Sequence, residues 1–127
     1  MNRRRVVVAA DAALCRILRR PLESALYEVI ETTCGFAALR MLEEDPLDYA
    51  VLDVRTPRLG GCDICRRFRS SRAGAKTIIV LLADHEMMVD RAIQKAVGAN
   101  DVIAMPFSTQ RLLIALRWRS LGIDHPA

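Results

Sequence analysis

Short, uninterrupted apolar runs alternate with stretches of helical spacing along this sequence, and that alternation leaves few ways to fold. Val6-Val7-Val8-Ala9-Ala10 opens the series, and Tyr49-Ala50-Val51-Leu52 and the run from Thr77 to Ala83 repeat its character. A segment apolar at every position buries both of its faces, as strands do in a parallel sheet covered by helices on either side. Between the strands, Leu14, Ile17, Leu18 and Leu22 carry helical spacing over 12–25, and Leu39 and Leu42 do so over 36–43. Ile64 and Phe68 stand at i, i+4 in a helix over 62–70, and Met88/Ala92 with Val89/Ile93 mark a fourth helix that Gly98 ends. Residues 28–32 and 102–104 read as the remaining strands, and Ser108 caps a last helix reaching Leu121. Strands and helices in strict alternation give an α/β fold with helices on both faces of a parallel sheet.

The chain has 127 residues, enough for one domain spanning 1–127 with a core of its own. Hydrophobic residues make up 52%, yet only one Trp, two Tyr and three Phe are present, so that core is aliphatic. Pro21 falls inside the first helix. It removes one N–H and is expected to kink or split the helix near Ile17, whose carbonyl loses its partner. Pro46 ends the second helix, and Asp84 is placed to cap the fourth.

Net charge is +4, carried mostly by arginines that are scattered apart from Arg3-Arg4-Arg5 and lack interleaved aromatics. A nucleic-acid surface concentrates basic residues in a stripe, so this pattern favours an acidic protein partner or solubility and argues against direct nucleic-acid binding. No apolar run reaches transmembrane length and no signal peptide pattern opens the chain, which points to a cytoplasmic protein without membrane contact. Of the cysteines Cys15, Cys34, Cys62 and Cys65, only Cys62 and Cys65 have C-x-x-C spacing, and His85 and His125 lie far from them. A zinc site needs further ligands at matching spacing, so reduced, partly buried thiols are the expectation.

Asp53 ends the third apolar run and is followed at once by the turn Arg55-Thr56-Pro57-Arg58-Leu59-Gly60-Gly61. A carboxylate at the carboxyl end of a buried strand sits on the rim where α/β folds place their sites. No Ser/His/Asp or Cys/His arrangement and no phosphate-cradling Gly loop points to an enzyme.

In order along the chain stand a Val-rich first strand, Tyr27-Glu28-Val29, Gly35 with Ala38-Leu39, and Asp48-Tyr49-Ala50-Val51-Leu52-Asp53. After them come Pro57, Gly60-Gly61, Arg66-Arg67, Gly98-Ala99-Asn100-Asp101 and Pro106-Phe107. This series resembles a response-regulator receiver domain of the CheY-like superfamily over nearly the whole chain. The resemblance implies a flavodoxin-like, doubly wound five-stranded parallel sheet in the order 2-1-3-4-5, with Asp53 as phosphoacceptor and a cis bond before Pro106.

Several positions depart from that pattern. Ala9 and Ala10 occupy the places of the acidic pair that holds a cation in the family, with Asp11 one residue later. A one-residue slip would bring Asp11 into that pair as a partner for Asp53, still a weak seat for magnesium. The hydroxyl residue that donates to the phosphoryl oxygen falls on Leu82, the lysine before Pro-Phe on Met105, and the switch aromatic on Val102. Oriented donors and cations of this kind are worth about 3–4 kcal/mol each to a transition state. The expectation is therefore an atypical receiver that works without phosphorylation and takes no cofactor; the alternative is an Asp53 phosphoacceptor that uses magnesium. A third reading is the receiver part of a transcriptional regulator. Arg55 or Arg58 is the expected counter-charge for Asp53.

In the last helix, Leu112, Leu113, Leu116 and Ser120 make one face, and Ile114, Trp118 and Leu121 make a second apolar stripe on the other side. A surface helix needs one stripe for its own core. The second, with Val102 and the helix of Arg91 and Lys95, reads as a contact for a histidine kinase, another regulator, or a second copy in a homodimer.

Overall fold

The computed structural model describes residues 4–45, 47–71, 76–84 and 91–120. Ten elements alternate along it: β1 (Arg4–Ala9), α1 (Ala12–Ser24), β2 (Tyr27–Thr32), α2 (Gly35–Glu44), β3 (Tyr49–Asp53), α3 (Gly61–Arg69), β4 (Ile78–Ala83), α4 (Arg91–Val97), β5 (Asp101–Ala104) and α5 (Thr109–Ser120). All strand pairs are parallel, in the order β2-β1-β3-β4-β5. The alternation of apolar runs and helical periods therefore yields the doubly wound sheet it implied.

β1, β3 and β4 are apolar at successive positions because successive side chains enter different cores. Val7, Ala9, Ala50, Leu52, Ile79 and Leu81 meet α2 and α3 through Leu42, Ile64 and Phe68. Val6, Val8, Ala10, Val51, Val80 and Leu82 meet α1 and α5 through Leu18, Leu22, Leu112 and Leu116. Both cores are almost wholly aliphatic, and β3 is buried along its full length.

α1 runs unbroken through Pro21, contrary to the expected split near Ile17. Pro21 lies close to the carboxyl end of the helix, and Ile17 is 60% exposed, so the carbonyl left without a partner belongs to the wet side of the helix. Beyond the proline, Ala25 N–H donates to the carbonyls of Pro21 and Leu22 and closes the last turn. Gly98 adopts φ +85° and its N–H donates to Gln94 O at 3.0 Å, which ends α4 in the left-handed conformation that glycine reaches without strain. Ser108 Oγ accepts from Arg111 N–H at 3.2 Å and caps α5. The start expected for α4 around Met88 and Val89, and Pro46, lie outside the described residues.

Gly35 fixes the start of α2. A Cβ there would collide with the Leu59 carbonyl, and Gly35 N–H donates to Pro57 O at 2.9 Å, so the helix begins pressed against the loop that follows β3.

Candidate functional site

Asp53 is the last residue of β3, beside Leu82 in the register of β4, and is 6% exposed. Its Oδ1 accepts the Arg55 N–H at 2.9 Å. The chain then turns sharply. Thr56 N–H donates to Asp53 O at 3.0 Å, and the buried Thr56 hydroxyl lies 2.6 Å from Asp53 O and 2.8 Å from Ala9 O, one proton serving two carbonyls. This hydroxyl ties the loop to the end of β1. The sequence placed Thr56 in this turn but gave no sign that its hydroxyl reaches β1.

Burial pushes the Asp53 carboxyl above the ordinary carboxylate value; the Arg55 N–H opposes that, the Asp11 charge adds to it, and the Arg55 charge opposes it again. Of the two arginines expected as counter-charge, Arg55 acts on Asp53 through its charge without a direct ion pair. Arg55 serves Asp53 with its backbone, while its guanidinium pairs with Asp84 across the rim. Arg58 stands exposed at φ +71°, and no ion pair joins it to Asp53 among the described residues. Asp84 anchors Arg55; the helix start it was expected to cap lies outside the described residues.

Around Asp53 the donor set is thin. β1 ends at Ala9, Ala10 N–H continues onto Thr32 O, and both alanines are completely buried. Asp11 does not slip into the strand. It is the exposed N-cap of α1, its Oδ1 accepting from Leu14 N–H at 2.8 Å. Leu82 is fully buried in the α1/α5 core, and Met105 packs against the same core. A small hard cation such as magnesium asks for several oxygens in near-octahedral array. Here one Asp53 oxygen and one Asp11 oxygen already accept backbone N–H groups, methyl groups stand at the end of β1, and no cluster of three His, Cys, Asp or Glu occurs among the described residues. These residues do not fit a magnesium ion.

The family described as response regulator receiver domain matches residues 6–117. The chain belongs to the response-regulator receiver family. It is 36% identical over 117 residues to the response regulator MprA of Mycobacterium ulcerans, covering 92% of this chain and 50% of that protein. It is 30% identical over 112 residues to the alkaline phosphatase synthesis transcriptional regulatory protein PhoP of Bacillus subtilis, covering 88% of this chain and 46% of PhoP. The receiver thus spans about half the length of these relatives. Among solved structures, the receiver domain of sensor histidine kinase PA1611 from Pseudomonas aeruginosa, with a magnesium ion in its active site cleft, superimposes with a TM-score of 0.81 at 26% identity, covering 95% of this chain and 99% of that one. A CheY-like receiver from Methanospirillum hungatei shares the fold at TM-score 0.82 and 19% identity, covering 96% of each chain.

The Met105-Pro106 bond of this receiver is cis, as the resemblance implied. On α5, Leu112, Ala115 and Leu116 are buried and Leu113 packs against them, while Ile114 is 43% exposed and Trp118 half-buried one turn on. Ala115 is a core contact that the sequence reading left out, since a small residue adds little to an apolar stripe. Leu121 lies outside the described residues, as does the Arg91 side chain; Lys95 is exposed, and Val102 is half-buried against the α2/α3 core. Asp101, named in the sequence only as part of the run from Gly98, is 7% exposed at the head of β5, its Oδ2 lying 3.7 Å from Arg111 Nη2 of α5. The C-x-x-C pair lies in the first half of α3. Burial pushes the Cys65 thiol up to about 11, so it is protonated at neutral pH and packs as a small apolar group. No helix among the described residues is long and apolar enough to cross a membrane.

Proposed function

We propose that this receiver serves two-component signalling as a protein-contact module whose action does not depend on phosphoryl transfer to Asp53. The observation that carries the proposal is the end of β1, where Ala9 and Ala10 are buried methyl groups in the places that the family gives to cation-holding acids. Leu82 and Met105 add to it, since neither side chain can donate a hydrogen bond to a transferred oxygen or offset its charge. Meeting a phosphoryl donor, Asp53 would set one anion against another with little compensation.

Its partners on this reading are a histidine kinase, another regulator, or a second copy in a homodimer, with neither membrane nor nucleic acid bound by this domain, in the cytoplasm. Residues 1–127 form one receiver domain. Ile114, Trp118 and Leu121, with Val102, Arg91 and Lys95, form the contact face; the exposure of Ile114 beside Trp118 supports this. Light scattering tests the homodimer: Trp118→Glu is expected to shift a dimer to monomer, and unchanged association removes the face from the proposal.

A second reading keeps Asp53 as a phosphoacceptor using magnesium with Asp11. It is favoured by the position of Asp53 at the carboxyl end of β3 and by the match to relatives named as response regulators. Incubation with acetyl phosphate and magnesium, followed by intact mass, separates the two. The contact reading expects no added phosphoryl group; a gain of one phosphoryl that disappears in Asp53→Asn establishes the second. PhoP is named a transcriptional regulatory protein, so a third reading makes this domain the receiver part of such a regulator.

A further inference from the structure

The ends of β3 and β4 lie side by side, with Asp53 opposite Leu82 and Val54 N–H donating to Leu82 O at 2.9 Å. Past those ends, one charged side chain from each side comes together: the Arg55 guanidinium meets the carboxylate of Asp84, the residue that follows β4. Arg55 follows Asp53 by two residues, and Asp84 follows Leu82 by two, so the pair spans the rim that holds Asp53.

Arg55 is held at both ends. Its N–H is fixed on Asp53 Oδ1 and its head group on Asp84, so the long side chain bridges two anchored points. Asp84 is 29% exposed in its side chain and thereby partly withdrawn from water, which strengthens an ion pair relative to a fully solvated one. The Arg55 side chain is 69% exposed, which limits the gain and leaves the pair open to screening by salt. Leu82, which stands where the family has a phosphoryl-binding hydroxyl, has no polar group with which to link the two sides.

We propose that Arg55 and Asp84 form a strap that ties the turn after β3 to the end of β4 across the Asp53 rim. The strap takes the place of a link through a shared phosphoryl group. Its usefulness rests on the phosphorylation-independent reading, because a connection made without a phosphoryl group suits a receiver that is not switched at Asp53.

Amide exchange at Val54, followed by NMR without any phosphoryl donor, reads the strap directly, because this N–H joins the two strand ends and its intrinsic exchange does not depend on the side chains at 55 or 84. At low ionic strength Arg55→Gln and Asp84→Asn are each expected to speed that exchange about two- to five-fold, in keeping with a half-exposed ion pair, and the double variant no further than either single one. Raising the ionic strength from about 0.01 M to about 1 M should speed exchange in the native chain and leave the variants unchanged. Equal rates in native and single variants, or additive effects in the double variant, overturn the strap. The acetyl phosphate experiment decides the contact reading separately, so either proposal can fail while the other stands.

Discussion

The two ends of the sheet are built on opposite electrostatic plans. At the amino end, Arg4 Nη1 donates to the Tyr49 hydroxyl at 2.9 Å, Arg5 N–H to Asp48 Oδ2 at 3.0 Å, and the Arg5 guanidinium to Asp45 Oδ2 at 2.8 Å. Tyr49 meets Tyr27 edge to face, with ring centroids 5.3 Å apart. Most of these charges stay near water, where they cost little and contribute little. At the carboxyl end a single carboxylate, Asp53, is buried among Ala9, Ala10 and Leu82, with one backbone N–H for company. The contrast teaches that a count of charges does not locate a site. Each end carries an ion pair, Arg5–Asp45 at the amino end and Arg55–Asp84 at the carboxyl end, and what sets the carboxyl end apart is the one charge withdrawn from water.

Putting polar groups back at the carboxyl end tests the contrast most severely. Ala10→Asp, Leu82→Thr and Met105→Lys together restore an acid, a hydroxyl and a cation, and at about a hundredfold or more for each effective group they should raise acetyl phosphate labelling of Asp53 by at least about 10²-fold. Labelling of the native chain at the rate of the triple variant, by intact mass, would erase the distinction. The tie between loop and strand comes next. Thr56→Val leaves the site's shape and removes the hydroxyl between Ala9 O and Asp53 O, for an expected loss of about 1–3 kcal/mol in urea unfolding.

Asp53 itself sharpens the comparison through pH. Its folded pKa lies above the unfolded value, so its favourable contribution is complete below the ordinary carboxyl value and is lost as pH rises through the folded one. Asp53→Asn has no charge to desolvate. Between about pH 4 and about pH 7 its stability should therefore rise relative to the native chain, as urea unfolding at a series of pH values would show. A constant difference across that range would mean that the carboxylate is no worse off folded than unfolded. Smallest is the effect at the amino end: Arg5→Ala should cost under about 1 kcal/mol and less still in high salt, and a larger loss would show that this end is not the inexpensive one.

Sequence pattern carried the fold because both cores draw on the same strands, so an apolar run such as Val6 to Ala10 has one reading. Asp53 was legible for a related reason: like Asp11 and Asp84 it follows an apolar run, but a turn rather than a helical stretch comes straight after it. Partner choice was not legible. Arg55 lies two residues from Asp53, and proximity along the chain said nothing of Asp84, brought near only by the pairing of β3 with β4. The Thr56 hydroxyl reaches across to β1 in the same way, 47 residues away along the chain. Pro21 misled because its cost depends on which side of the helix the lost bond falls, and Ile17 is on the wet side.

The missing side chain at Gly35 joins the placing of α2 to that of the turn after β3. With nothing between its first turn and the carbonyl of Leu59, and an N–H fastened to Pro57 O, the helix has no slack against the segment that Asp53 begins. Even the methyl group of Gly35→Ala would have to move either the first turn of α2 or the backbone of Leu59, so the two are set together or not at all.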